Sequence, residues 1–271
     1  MKDYKLNVKD DNNLKISEAF YSVQGEGIST GVPAYFIRLQ GCNLICGGKD
    51  GCLRDEGKAT WYCDSETVWR QGENYTNEEL VDKMAKDVGL ESILNGETHL
   101  IWTGGEPLLP HHQKSISSFL EHMKREYGIK NIYNEIETNG TIPFTPQFGE
   151  DKPFRNSLYF QTDQINCSPK LYNSGMEKDK RINQEAIEMI RDHPNSWFKF
   201  VVSDEQDIKE MEYDFIYPYE IDKSQIILMP GVDNLDELSE RTRFVYDMTK
   251  KYGYRSCTRG QVLAWDRVTG V

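Results

Sequence analysis

Cys42 and Cys46 stand with three residues between them, and Cys63 follows after a further sixteen. Thiolates are the usual ligands of iron-sulfur clusters, and three of them around a four-iron cluster leave one iron without a protein ligand, open to another group. Zinc is a competing occupant, but structural zinc takes four ligands at paired CxxC or His spacing, and His111 and His112 have no partner at such spacing. The pattern CxxxC also arises by chance. Cys52, flanked by Gly51 and charged residues, can in principle replace Cys46, yet only Cys46 keeps the short loop that wraps one face of a cluster. Cys52 otherwise reads as a free thiol in a flexible loop, and Cys167 and Cys257 read as small buried hydrophobes.

Five other short runs carry polar groups suited to a ligand: Val23-Gln24-Gly25-Glu26-Gly27, Asp64-Ser65, Thr103-Gly104-Gly105-Glu106-Pro107, Glu137-Thr138-Asn139-Gly140 and Ser168-Pro169-Lys170. Taken singly, each is an ordinary turn or helix cap, and Arg38 taken singly is a surface ion pair. Together with Tyr62-Cys63 they resemble the radical S-adenosylmethionine (SAM) superfamily and, within it, the 7-carboxy-7-deazaguanine synthases. The superfamily's CxxxCxxC is interrupted: Cys42 and Cys46 fit the first spacing. Tyr62-Cys63 fits the ending once residues from about 47 to 60 are taken as an insertion.

The resemblance implies a [4Fe-4S] cluster on Cys42, Cys46 and Cys63, and SAM bound by Tyr62, Cys63, Asp64, Gly104, Gly105, Glu106, Glu137, Asn139, Ser168, Pro169 and Lys170. In it Glu106 receives the methionine ammonium, while Ser168 and Lys170 meet the ribose and carboxylate. It implies Mg²⁺ on the Ser65 hydroxyl, a hard oxygen where the family often has Thr. The small-molecule substrate it implies is a pterin, 6-carboxy-5,6,7,8-tetrahydropterin, met by Val23, Gln24, Gly25, Glu26, Arg38 and Thr103. Gln24 and Glu26 can pair with the amide and guanidine-like edge of the ring, and Arg38 can fork onto the carboxylate. The implied reaction is a radical ring contraction to 7-carboxy-7-deazaguanine with loss of ammonia, as in queuosine-type 7-deazapurine biosynthesis. A reductant such as flavodoxin and a homodimeric state are implied as well. The cofactor carries the radical chemistry, so none of the histidines (His99, His111, His112, His122, His193) is assigned to catalysis, and His111 and His112 read as surface or capping residues at a helix start. A glycyl-radical-enzyme activase would share the cysteines, GGEP and ETNG but would not need Gln24, Glu26 and Arg38. A non-catalytic protein with a structural cluster or zinc would need neither GGEP nor SPK.

These residues need elements to position them. Ala34 to Leu39 reads as a strand delivering Gly41 and Cys42. Thr76 and Glu79 form a capping box ahead of a helix with Leu80, Met84 and Val88 at helical spacing. Further strands are expected at Thr98–Thr103, Asn131–Ile136, Leu158–Gln161, Phe198–Val202 and Ile226–Met229. Helices are expected at His111–Tyr127, Ile182–Arg191 and about Leu235–Tyr252, and residues 141–156 form a long connection. Alternating strands and helices imply parallel βα units with the site at the strands' C-terminal edge. The expected class is α/β, a partial (β/α) barrel of the radical SAM type with helices outside, built by 1–271 as a single domain. The family resemblance implies that the tail from Gln261 to Val271 can close over the substrate.

At 271 residues the chain can bury a substantial core. Its 44 acidic against 32 basic residues give a net charge of −12, which argues against a phosphate-backbone binder, so no nucleic-acid partner is expected. Neither a signal-peptide core nor a run of about 18 apolar residues occurs, so no membrane partner and a cytoplasmic location are expected.

Overall fold

β2 (Pro33–Leu39), which ends just before Cys42, sits inside a nine-stranded sheet ordered β3-β1-β2-β4-β5-β6-β7-β8-β9 in this computed structural model. The structure describes residues 13–128, 131–145 and 157–271. The other strands are β1 (Leu14–Val23), β3 (Glu73–Tyr75), β4 (His99–Gly104), β5 (Asn134–Thr138), β6 (Gln164–Cys167), β7 (Ser196–Val202), β8 (Ile226–Pro230) and β9 (Arg255–Ser256). From β2 through β9 neighbouring strands pair in parallel, while β1 runs antiparallel to both β2 and β3. The fold is therefore α/β, with an antiparallel hairpin opening an otherwise parallel sheet.

The sheet curls. Neighbouring strands lie about 4.8 Å apart, so β1 and β7 in a flat sheet of this order would be separated by roughly 24 Å. Instead Glu26, just past β1, forms an ion pair with Lys199 of β7. β3 and β9 are short edge strands at opposite ends of the order, so the barrel is partial.

Side chains alternate along each strand, and the alternation separates two interiors. Tyr35, Ile37, Leu39, Leu100, Trp102, Ile136, Phe198 and Phe200 join one hydrophobic cluster with helix residues Leu80, Met84, Phe119, Ile187, Met211 and Val245. The intervening positions, Phe36, Arg38, Thr103, Glu137, Lys199 and Val201, line a cavity on the concave side.

The helices follow the expected signals. In Asn77–Asp87 the Thr76 hydroxyl accepts from Glu79 N (3.2 Å), and Thr76 N donates to the Glu79 carboxylate (2.8 Å), closing the capping box. Pro110–Tyr127 stops at Gly128 and Leu235–Tyr252 at Gly253, both with positive φ. The expected helix over Ile182–Arg191 is observed as Gln184–Arg191.

One element is corrected. Leu158–Gln161, read as a strand, is a short helix, and the strand is Gln164–Cys167. Its amides Gln164 and Asn166 are buried because both donate to the Glu135 carboxylate of β5 (3.1 and 2.7 Å), which removes the desolvation cost that makes such a strand look unsuitable for a core. The N-terminal residues on which the leader expectation partly rests, and the long connection from 146 on, lie outside the described residues.

Candidate active site

A cavity of about 750 Å³ opens at the C-terminal ends of the parallel strands. It gathers all the residues expected from the sequence except Glu106 and Pro169, and adds Asn166, Lys199, Arg259 and Gln261.

Cys42, Cys46 and Cys63 all line it, and Cys52 does not. Cys46 is buried, Cys42 and Cys63 are half-buried, and Cys52 is exposed. The sixteen residues between Cys46 and Cys63 form a closed excursion. Cys63 N donates to the Cys46 carbonyl (3.0 Å), so the chain returns to where it left. Within the excursion Lys49–Gly51 is a 3₁₀ turn and Cys52–Asp55 a single helical turn. Gly47 N donates to the Ser174 carbonyl (2.7 Å) and Thr60 N to the Asn173 carbonyl (2.9 Å), which stitches both ends to one turn. Only glycine suits position 47: its φ is +79°, and a Cβ there would lie 2.3 Å from that of Tyr62. Beyond the loop, the Tyr62 hydroxyl donates to Asp233 (2.5 Å), with Arg54 of the excursion over its ring (5.3 Å).

Burial pushes the Cys42 thiol up to about 12, helped by the nearby Glu106 carboxylate, and the Cys46 thiol up to about 11, against the pull of Lys170. Buried thiols of this kind need a bound cation to stay ionised, which is what a metal cluster supplies. Three thiols lining one cavity are the donor set that suits a cluster with one open iron. Among the described residues no three His, Cys, Asp or Glu side chains are gathered closely enough to form a ready metal-ion site.

GGEP and ETNG are one structure. Gly105 N donates to the Leu39 carbonyl (3.0 Å) and Glu106 N to the Gly41 carbonyl (2.9 Å), an approach that any side chain at 105 would block. Glu106 is fully buried beneath the cavity, where it accepts from the Thr138 hydroxyl (2.7 Å), Asn139 N (2.7 Å) and Leu108 N (2.9 Å). Burial nonetheless pushes its carboxyl up. It orients Asn139, whose amide donates to Asn43 (3.0 Å) and reaches the Cys42 sulfur (3.8 Å). Lys170 donates to the Ser168 carbonyl (2.8 Å) and hydroxyl (3.1 Å), and the Ser65 hydroxyl lies 3.6 Å from the Cys63 sulfur.

The opposite wall is built from the β1–β2 hairpin. Gln24 is buried and donates to Glu137 (2.9 Å), which also accepts from the Thr103 hydroxyl (2.8 Å). Glu137 thus stands with Gln24 and Thr103 rather than among the thiols. Arg38 pairs with Glu18 (3.1 Å) on the adjacent strand and lines the cavity as well. Glu26 accepts from Arg259 (2.8 Å) and Gln261 (2.5 Å) and pairs with Lys199. Its burial works against ionisation, but Lys199 and Arg259 outweigh that and hold the carboxyl well below the usual range.

Comparison of the sequence with known proteins shows its family. The chain is 31% identical over 259 residues to the 7-carboxy-7-deazaguanine synthase of Pyrobaculum aerophilum, covering 95% of this chain and 97% of that one. The chain belongs to the 7-carboxy-7-deazaguanine synthase family. The synthase of Halobacterium salinarum is 29% identical over 274 residues, covering 93% and 91%. The structure of QueE from Escherichia coli shares the fold with a TM-score of 0.59 at 20% identity, covering 96% of this chain and all of that one. No family model matches.

Within this synthase family chain, sequence reasoning missed Lys199, Arg259, Asn166 and the pairing of Gln261. Lys199 carried a faint signal: it is the one charge in the run Trp197-Phe198-Lys199-Phe200-Val201-Val202. A strand covered on both faces leaves such a lysine only a buried partner. His112 also departs from expectation. It is buried, and its ring nitrogen donates to the Gln40 carbonyl (2.8 Å), whereas its neighbour His111 is exposed.

Proposed function

We propose that this chain converts 6-carboxy-5,6,7,8-tetrahydropterin to 7-carboxy-7-deazaguanine, with a [4Fe-4S] cluster held by Cys42, Cys46 and Cys63. The observation that carries the reading is that β2 and its two flanking loops put both halves of such a site in one cavity: Gln24, Glu26 and Arg38 on one side, the three thiols on the other.

When bound, the cluster supplies the electron that cleaves SAM, and a reductant such as flavodoxin supplies the cluster. Asn139, Ser168 and Lys170 are the groups for SAM: an amide, a hydroxyl and an ammonium facing its polar ends. Glu106 acts through Asn139 and Thr138, since its own oxygens are already hydrogen-bonded. Arg38 forks onto the substrate carboxylate. Glu137 joins Gln24 and Thr103 as an acceptor for the guanidine-like edge of the pterin. Ser65 would give Mg²⁺ one hard oxygen, and the ion would supply charge neutralisation for the substrate carboxylate. Phe20, Phe36 and Val201 add apolar lining against which the ring can pack. Work in the cytoplasm as a homodimer is carried over from the family resemblance, and among the described residues no helix is long and apolar enough to cross a membrane.

Turnover is the test. Anaerobically reconstituted protein given SAM, dithionite, Mg²⁺ and 6-carboxy-5,6,7,8-tetrahydropterin should release 7-carboxy-7-deazaguanine. A sample with full iron content that leaves the pterin unchanged refutes the assignment.

A further inference from the structure

Arg259 belongs to the C-terminal tail, yet its guanidinium meets three separate parts of the cavity wall. Nε donates to Glu26 of the β1–β2 hairpin (2.8 Å), Nη2 to Asp64 beside Cys63, and Nη1 to the Val232 carbonyl after β8. Its side chain is only 11% exposed. The neighbouring backbone follows the same path: Gly260 N donates to the Gly25 carbonyl (2.8 Å), and Gln261 adds a second donor to Glu26.

Glu26 lies on the wall proposed for the pterin, and Asp64 follows the cysteine at the wall proposed for SAM. A planar guanidinium with donors fixed in a fork holds two carboxylates at a set separation and angle, which an ammonium on a flexible stem does not. We infer that Arg259 is a positioning residue that couples the two ligand sites, so that closing one wall sets the other. The inference rests on the proposed function for the identity of the two ligands. Coupling between sites is reciprocal: whatever factor the pterin contributes to SAM affinity, SAM contributes to pterin affinity. Lys199 does not share this role, because among the described residues its ion-pair partner is Glu26 alone.

Two measurements test it. SAM dissociation constants are measured on cluster-reconstituted protein without reductant, so that no turnover occurs, in the presence and absence of the carboxytetrahydropterin. The unaltered chain should bind SAM on the order of fivefold or more tightly with the pterin present. In R259Q and in R259K that ratio should fall to within about twofold of unity, whatever change the freed Asp64 makes to SAM affinity in the absence of pterin. Loss in R259K, which keeps the charge, separates bridging from charge alone. Hydrogen exchange on cluster-free protein supplies the second readout: amides 257–265 should exchange faster in R259Q, with β4 and β5 unchanged. Retained coupling in either variant, absent coupling in the unaltered chain, or an unchanged tail exchange overturns the inference. Coupling without product formation would leave Arg259's role standing and refute the proposed reaction instead.

Discussion

A ligand set is decided by where sulfurs end up, and here one hydrogen bond does most of the deciding. With Cys63 N on the Cys46 carbonyl, the excursion of residues 47–60 closes on itself, sending Asp50, Arg54 and Thr60 to the cavity wall, and the local geometry at its base is that of a short loop. Cys52, near in sequence, is carried out to solvent. Cys63→Ala should therefore abolish the visible charge-transfer absorbance of the reconstituted protein and leave little bound iron, whereas Cys52→Ala should retain both. Loss of the cluster in the Cys52 variant would show that the wrong middle thiol was chosen. The cysteines, GGEP and ETNG were legible because their chemistry is local: glycines where backbone meets backbone, thiols at a strand end. Lys199 and Arg259 were not, since their partner Glu26 is more than 170 positions away in the chain and only the curl of the sheet brings them together.

At the level of elements, the strands and the long helices could be read from apolar spacing and caps, and the failures share a cause. Leu158-Tyr159-Phe160-Gln161 has strand-like composition but is a helical turn, while polar Gln164-Ile165-Asn166-Cys167 is the strand, because Glu135 on the neighbouring strand satisfies both amides. Helix Pro110–Tyr127 shows a second tertiary effect with a measurable consequence. His112 in its first turn anchors it to the Gln40 carbonyl, in the loop that leads to Cys42. Burial holds its imidazole down to about 4, with repulsion from His111 and Lys15 adding to the effect and the bond to Gln40 opposing it. Above the unfolded value of about 6.5 both states are neutral there, so nothing is lost. As pH falls from about 6.5 to about 4 the unfolded chain takes up a proton that the folded chain refuses, and stability drops by on the order of 3 kcal/mol. Urea unfolding of the unaltered chain and of His112→Gln over that range should show a shallower loss in the variant. Parallel curves would mean His112 titrates normally in the fold.

On the scale of the whole molecule, the cavity wall draws on Phe20 of β1, Arg38 of β2, Thr103, Glu137, Asn166, Lys199 and Met229 of the successive parallel strands, and Val271 at the end of the chain. A wall assembled from both ends of the sequence exists only when the entire sheet has formed and curled, so its ligands bind the folded state and not the unfolded one. A ligand that binds only the folded state stabilises it by about 2.7 kcal/mol at a hundred times its dissociation constant. For a chain of this size each kcal/mol raises the melting temperature by about 2 °C. Anaerobic, cluster-loaded protein should therefore melt about 5 °C higher at that excess of SAM. The rise should be seen alike by far-ultraviolet circular dichroism and by tryptophan fluorescence, because Trp102 lies in the outer core and Trp61 at the cavity. A rise confined to one probe would mean that the wall forms as a local unit, and no rise at all would mean that SAM does not bind there.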